Sequence, residues 1–452
     1  MARTADQTDA YVSDEELADR ATAVLRLNDT GTWTTAAPAL YPHQWSWDSA
    51  FIAIGWAHLD PRRAMTEQDR LFDAQWATGK IPHIVFNEAV PAGAYFPDAA
   101  RWACDLSPDA PAGPPETSGL CQPPVHALAV HRIWRYAEAS GDADLRADAT
   151  AFVRRTYPRL VAWHRYLATA RDPEGSGLVT IYHPWEGADN SPRWDEAMAR
   201  LEIGDLPPYQ RRDTQVVAEA GQRPSDEDYD RYLWLVELLK SCRYDEAEIY
   251  ASHPFLIKDV FFSGVLAAAN AALLDLCNVV GADQTERDTI AGWLAATRTG
   301  LAEARDAETG LCLDTDVRTG RPIRVRTFAG FAPLLAGDAD RALLDRLDSA
   351  DFLGHPGLRW PILPSTSPAD PAFDRRNYWR GPTWPVVNWL LWRALLAAGE
   401  TAAADRLRHA CLDQIRASGH YEYFDPFSGA PLGSDDQSWT AAVVLDWLAA
   451  TD

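Results

Sequence analysis

Residues 260–277 read VFFSGVLAAANAALLDLC, and residues 384–396 read WPVVNWLLWRALL. Both stretches are long enough for helices and apolar on nearly every face, which marks helices that lie inside a fold. Residues 143–170 (ADLRADATAFVRRTYPRLVAWHRYLATA) are of another kind. There Leu145, Phe152, Val153, Tyr157, Leu160, Val161, His164 and Leu167 make one apolar stripe among charged residues, the pattern of a helix lying on a surface. Alternation of the two kinds predicts an all-α fold with two concentric layers of helices.

Outward from these stretches, helical patterns dominate. One opens at Ser13, with Asp14, Glu15 and Glu16 in the first turn, and runs to Leu27. Others cover 122–140, 226–241, 254–281, 284–305, 337–349, 376–398, 400–417 and 434–450. Strand signals at 81–86, 178–181, 310–314 and 323–325 are too short and scattered for a main sheet. Long irregular segments lie at 105–119, 186–213 and 360–378. Loops of this length in a compact fold are usually functional, and 105–119 and 196–222 are the candidates to close over a ligand. No linker or exact repeat divides the chain, so one domain over 1–452 with a short N-terminal extension, 1–12, is expected.

The chain has 452 residues, 47% hydrophobic and 24% charged, which suffices for a large core. With 42 Lys and Arg against 65 Asp and Glu, its formal net charge is −23. That excludes a general nucleic-acid binder, which needs a basic face, and argues against docking on anionic membranes. The N-terminal residues carry no apolar signal core, and the apolar run 260–280 is interrupted by Asn270, Asp275 and Asn278. The six cysteines are scattered without a CxxC pair, as free thiols in a reducing compartment would be. A cytoplasmic location is the expectation.

The 19 Trp, 15 Tyr and 14 Phe are unusual in placement, because many Trp neighbour Asp, Glu, Arg or Pro. Residues 41–49, YPHQWSWDS, combine two Trp with hydrogen-bonding groups. Sugars present apolar C–H faces and a rim of hydroxyls, and this mixture suits them. The competing structural reading is a helix start capped by Asp48 and Ser49. Residues 183–195, HPWEGADNSPRWD, hold Trp185, Glu186, Asp189 and Asp195. A carboxylic acid held against Trp can have its pKa raised and serve as a general acid, but spacing does not choose among the three carboxylates. NYWRGPTWP at 377–385 and YEYFDP at 421–426 add further aromatic and charged groups, with Glu422 between two Tyr. Two carboxylates flanking a sugar ring are the minimum for glycoside hydrolysis. Motifs for zinc proteases, serine hydrolases and dinucleotide binding are absent from the sequence.

Taken together, YPHQWSWDSAFIAIGWAHLDP, IPHIVF, HPWEGADNSPRWD, RPSDEDYDRYLWL, NYWRGPTWP, YEYFDPFSG and GSDDQSWTAA resemble glycoside hydrolase family 63. Within it, the bacterial glucosylglycerate and mannosylglycerate hydrolases are the nearest in pattern, over about residues 38–450. The resemblance implies an (α/α)6 barrel of six inner and six outer helices, with long functional loops. It implies an inverting hydrolase that cleaves 2-O-α-glucosyl-D-glycerate or the mannosyl compound and uses no metal or organic cofactor. Asp189 is then the general acid and Glu422 the general base. Trp45, Trp47 and Asp48 match the sugar-binding segment, Gln122 a holder of sugar hydroxyls, and Trp379 a platform near the scissile bond; Trp185 joins this set. Tyr41, Tyr95, Tyr229, Tyr378 and Gln437 match positions used for the glycerate part, and Arg223 is the candidate counter-ion for its carboxylate. Ser46 departs from the pattern, standing where an aromatic such as Phe is frequent. The implied partner is a small glycoside, with no nucleic acid and no membrane, and a homo-oligomer is compatible. An α-glucosidase for neutral sugars and a non-catalytic sugar-binding barrel are the alternatives. Asp189 must hold its proton near neutrality, so a raised pKa is expected.

Overall fold

The computed structural model describes residues 12–216 and 220–450. Of the N-terminal extension expected at 1–12, all but Val12 lies outside the described residues, as do 217–219 of the candidate closing loop.

Helices Ser46–Leu59, His126–Ala139, Val260–Val280, Ala332–Leu335, Pro385–Ala397 and Ser438–Ala449 form an inner ring. Each touches the next, and the sixth packs on the first, so the ring closes. Alternating with them in sequence, beginning ahead of the first, are the outer helices Asp14–Leu27, Pro61–Asp73, Ala143–Thr169, Gln284–Glu303, Arg341–Leu347 and Thr401–Ser418. This is the (α/α)6 barrel, and the all-apolar and striped patterns fall into the layers they foretell. Every stripe residue of Ala143–Thr169, from Leu145 to Leu167, is buried. The membrane-length helix Val260–Val280 is an inner helix packed on four neighbours. Closure depends on small side chains. A Cβ on Gly55 would stand 2.5 Å from the Cα of Ala442, so the first and sixth inner helices meet backbone to backbone there.

Caps set where these helices begin. Ser13 accepts the Glu16 N–H, Asp60 those of Arg62 and Arg63, and Asp259 that of Phe262. Pro61 and Pro385 occupy first turns, where no N–H is needed. Connections from inner to outer helices span a few residues. Those from outer to inner helices are long: 28–45, 74–125, 170–259, 304–331, 348–384 and 419–437. Small two-residue strands and the helix Asp226–Ser241 order these long segments.

Several sequence-based boundaries shift. The patterns at 122–140, 254–281, 376–398 and 434–450 become helical only at His126, Val260, Pro385 and Ser438. The preceding residues belong to the long connections, with Ile257–Lys258 a strand and Tyr378–Arg380 a 3₁₀ turn. Helices Ser46–Leu59 and Pro61–Asp73 add to the helices that the sequence pattern marks, and the first of them agrees with the structural reading of a helix start near Asp48. The strand expected at 310–314 forms at Thr315–Asp316, and that at 323–325 at Arg321–Pro322, where the two pair antiparallel.

Candidate active site

The long connections gather at the N-terminal ends of the inner helices and enclose a cavity of about 140 Å³. All fourteen residues singled out from the sequence as site candidates line it. They come from the approaches to the first, second, third, fifth and sixth inner helices, so the ring itself brings distant segments together. The helix N-termini add partial positive charge to a wall that is otherwise rich in carboxylates.

Glu422 lies between Gly419 at the end of an outer helix and the strand Tyr423–Phe424, which pairs with Pro431–Leu432. Its side chain is buried at 1% exposure. Oε1 accepts the hydroxyls of Tyr41 at 2.8 Å and Tyr378 at 3.2 Å, and Oε2 accepts the Ser434 N–H at 3.1 Å. Both oxygens act as acceptors, the pattern of an ionised carboxylate. Gly433 passes so close that a Cβ would stand 2.4 Å from Oε2, and its φ of +73° also favours glycine.

The structure separates the three carboxylates of the 183–195 loop. Glu186 is buried and spent: Arg171 binds it at 2.9 and 2.7 Å, and the Tyr182 and Cys121 N–H groups at 2.7 and 3.1 Å. Burial would raise its pKa, but the Arg171 charge and these donors outweigh burial and hold it low. Asp195 forms a two-pronged pair with Arg380 at 2.8 and 2.7 Å. Asp189 alone of the three lines the cavity, half-buried. Burial pushes it up to about 7; the Arg223 charge opposes the rise and the Glu422 charge adds to it. Asp48, 5% exposed, is likewise raised well above the carboxylate range by burial and then by Glu422 and Asp189.

An aromatic floor supports these groups. Trp379 stacks on Trp384 at 3.8 Å and 6°, and Trp384 on Tyr423 at 4.7 Å. Trp47 lies 6.1 Å from Trp379 and 5.6 Å from Trp439. Gln122 accepts the Trp47 N–H at 3.3 Å. Gln437 is fixed by Ser434 at 2.8 Å, while its Nε2 has no partner among the described residues. Tyr95 contacts Trp45 edge-on at 5.7 Å, and Tyr229 contacts Trp185 in the same way at 5.8 Å. Ser46 is turned from the cavity, its Oγ 2.9 Å from Nε2 of His126 in the core.

Arg223 is buried at 8% exposure. Its Nη2 donates to the Tyr41 hydroxyl at 3.0 Å, its guanidinium lies 4.4 Å from the Tyr378 ring centre, and Nε is 3.6 Å from Asp213. Nη1 has no partner among the described residues. Asp226 and Glu227, near Arg223 in sequence, pair instead with Arg211 and Arg231. Asp213 and Arg212 also line the cavity and were missed, because nothing in their irregular segment marks them. Burial would raise Asp213, but Arg211 and Arg223 hold it below its usual value. Segment 105–119 contributes nothing to the cavity wall. It runs behind Ile84–Val85, with Thr117 bridging Val85 and Phe86 bonding Glu116. Among the described residues, no cluster of three or more His, Cys, Asp or Glu is arranged to hold a metal.

The chain is similar to known proteins over most of its length. Residues 41–440 match the mannosylglycerate hydrolase MGH1-like glycoside hydrolase domain. The chain is 47% identical to the glucosylglycerate hydrolase of Mycolicibacterium hassiacum, over 96% of this chain and 98% of that protein. It is 42% identical to the mannosylglycerate hydrolase of Rubrobacter radiotolerans, over 96% of each. Among solved structures, the family 63 mannosylglycerate hydrolase of Thermus thermophilus with Tris and D-glycerate superposes with a TM-score of 0.87. That match has 40% identity and covers 95% of this chain and 99% of the other.

Proposed function

The chain belongs to glycoside hydrolase family 63, in the group with the mannosylglycerate hydrolase MGH1-like domain, and on that premise we propose that it hydrolyses 2-O-α-glucosyl-D-glycerate with inversion. The mannosyl compound is the second candidate. The observation that carries the assignment of roles is the contrast within one loop: Glu186 and Asp195 are consumed by arginines, and Asp189 faces the cavity with its pKa near 7.

In the proposed reaction Asp189 gives its proton to the glycosidic oxygen as the bond to the anomeric carbon breaks. A water attacks from the opposite face and loses a proton to Glu422. The products are the β-hexose and glycerate, and solvent returns the proton from Glu422 to Asp189. Tyr41 and Tyr378 orient the base, and the Trp47–Trp379 surface carries the sugar face. The glycerate carboxylate meets the free Nη1 of Arg223, which offsets repulsion from a chain of net charge −23. We place the protein in the cytoplasm, where its six unpaired cysteines stay reduced.

The test is proton NMR with 2-O-α-glucosylglycerate, with the mannosyl analogue in parallel. Early β-glucose is the expected product, and early α-glucose would rule out inversion. Turnover of the mannosyl compound alone would change the sugar. Turnover of neutral α-glucosides alone, without inhibition by free glycerate, would remove the glycerate assignment.

A further inference from the structure

Asn190 follows Asp189 directly, and it spends both ends of its side-chain amide on another segment. Its Oδ1 accepts the Trp379 N–H at 2.9 Å, and its Nδ2 donates to Oδ1 of Asn377 at 2.6 Å. Its carbonyl accepts from Nη1 of Arg380 at 3.2 Å. The Trp379 N–H can only donate, so the orientation of the Asn190 amide is determined. These bonds grip residues 377, 379 and 380 and leave Tyr378 bracketed between them.

Tyr378 has a φ of 39°, in the left-handed region that a bulky residue adopts only when its surroundings hold it. From that backbone its hydroxyl reaches Oε1 of Glu422 at 3.2 Å and lies 3.2 Å from the Tyr41 hydroxyl. One peptide link therefore joins Asp189 to Asn190. One hydrogen-bonded bracket joins Asn190 to Tyr378, and one hydrogen bond joins Tyr378 to Glu422.

We propose that Asn190 is a positioning residue that couples the two carboxylates, holding Asp189 and Glu422 in a fixed mutual placement through Tyr378. The inference rests on the assignment of Asp189 as acid and Glu422 as base. A plain loop staple would share these bonds but would act on stability alone. Coupling acts on the chemical step, because displacement of a catalytic group by about 1 Å costs roughly 100-fold.

The experiment compares two substrates, 2-O-α-glucosylglycerate and α-glucosyl fluoride. Fluoride departs without a proton from Asp189, so the second substrate reports the base side. For Asn190→Ala the expected result is a fall in kcat of roughly 100-fold on the glycoside and about tenfold on the fluoride, with KM within about twofold. The fluoride loss should not multiply with that of Tyr378→Phe, since both changes release the same hydroxyl. Full additivity, equal losses on both substrates, or a fluoride kcat unchanged from the parent would each overturn the coupling. Should Asn190→Ala fail to fold, Asn377→Ala removes only the Nδ2 acceptor and carries the same comparison. Asp189→Asn is the reference for the underlying assignment: it should lose the glycoside and keep the fluoride. Equal loss of both by that variant would sink the acid assignment, separately from any result at Asn190.

Discussion

Tyr41 donates its hydroxyl to Oε1 of Glu422 across 2.8 Å. The same phenol oxygen accepts Nη2 of Arg223, so the proposed base and the buried Arg223 are linked through one side chain. Tyr41→Phe removes both contacts and keeps the ring. A hydrogen bond of this kind is worth about 0.5–1.5 kcal/mol, so kcat should fall by about tenfold. KM should rise too, because Arg223 loses its tether. Steady-state kinetics on the glycoside check this, and an unchanged kcat would detach Tyr41 from the base.

The second prediction concerns pH. The Asp189 pKa is raised from 3.8 to about 7, so the protonated, active form is lost as pH rises through 7. The kcat/KM profile should fall on its alkaline side by about tenfold per pH unit. Stability follows the same sign. A carboxyl with a folded pKa above its unfolded one stabilises fully below pH 3.8 and loses that contribution as pH rises through about 7. Asp189→Asn should therefore gain in melting temperature relative to the parent as pH rises from about 4 to about 7, and keep that advantage at pH 8. A parent profile flat between pH 6 and 9 would contradict the acid role.

At Gly433 the prediction is steric. Its Cβ position is 2.4 Å from Oε2 of Glu422 and 2.5 Å from Cε1 of Tyr423. Gly433→Ala must push the Glu422 carboxylate, the proposed base, aside, since the Tyr423 ring is buried. A displaced base lowers kcat by roughly 100-fold. Far-ultraviolet circular dichroism should be unchanged, because the alteration sits outside the helices.

Arg223→Ala tests recognition of the anion. Charge-assisted hydrogen bonds contribute about 1.5–3 kcal/mol, so KM for the glycerate glycoside should rise at least tenfold. Inhibition by free glycerate should weaken in parallel. A KM equal to the parent's would assign Arg223 to the wall alone.

Much of this site is legible in the sequence because its chemistry demands unusual neighbours. Trp beside Asp, or Glu between two Tyr, is a costly arrangement for packing alone, and those motifs all converge on one cavity. The choice among Glu186, Asp189 and Asp195 is not legible. It depends on Arg171 and Arg380, which reach the loop from positions 171 and 380 and neutralise two of the three. Helix starts were misplaced toward the N-terminus at His126, Val260, Pro385 and Ser438 for one reason. Residues 122–125, 254–259 and 376–384 carry apolar or aromatic side chains that extend the helical pattern, and Asp435 and Asp436 imitate a first turn, but the backbone there belongs to the long connections. The fourth inner helix, Ala332–Leu335, is only four residues after a 3₁₀ turn and leaves no period to read. Asp213 is seen only in space, where Arg211 and Arg223 converge on it.

Ring closure also has a kinetic consequence. Four inner helices, Ser46–Leu59, His126–Ala139, Val260–Val280 and Pro385–Ala397, pack on the outer helix that follows each in sequence, and such local contacts form early. The contact of Gly55 with Ala442 must wait for almost the whole chain, and so must the Tyr41–Glu422 hydrogen bond. During refolding from denaturant, helical signal should return first and turnover only later. The lag between them would time the docking of the last helix on the first.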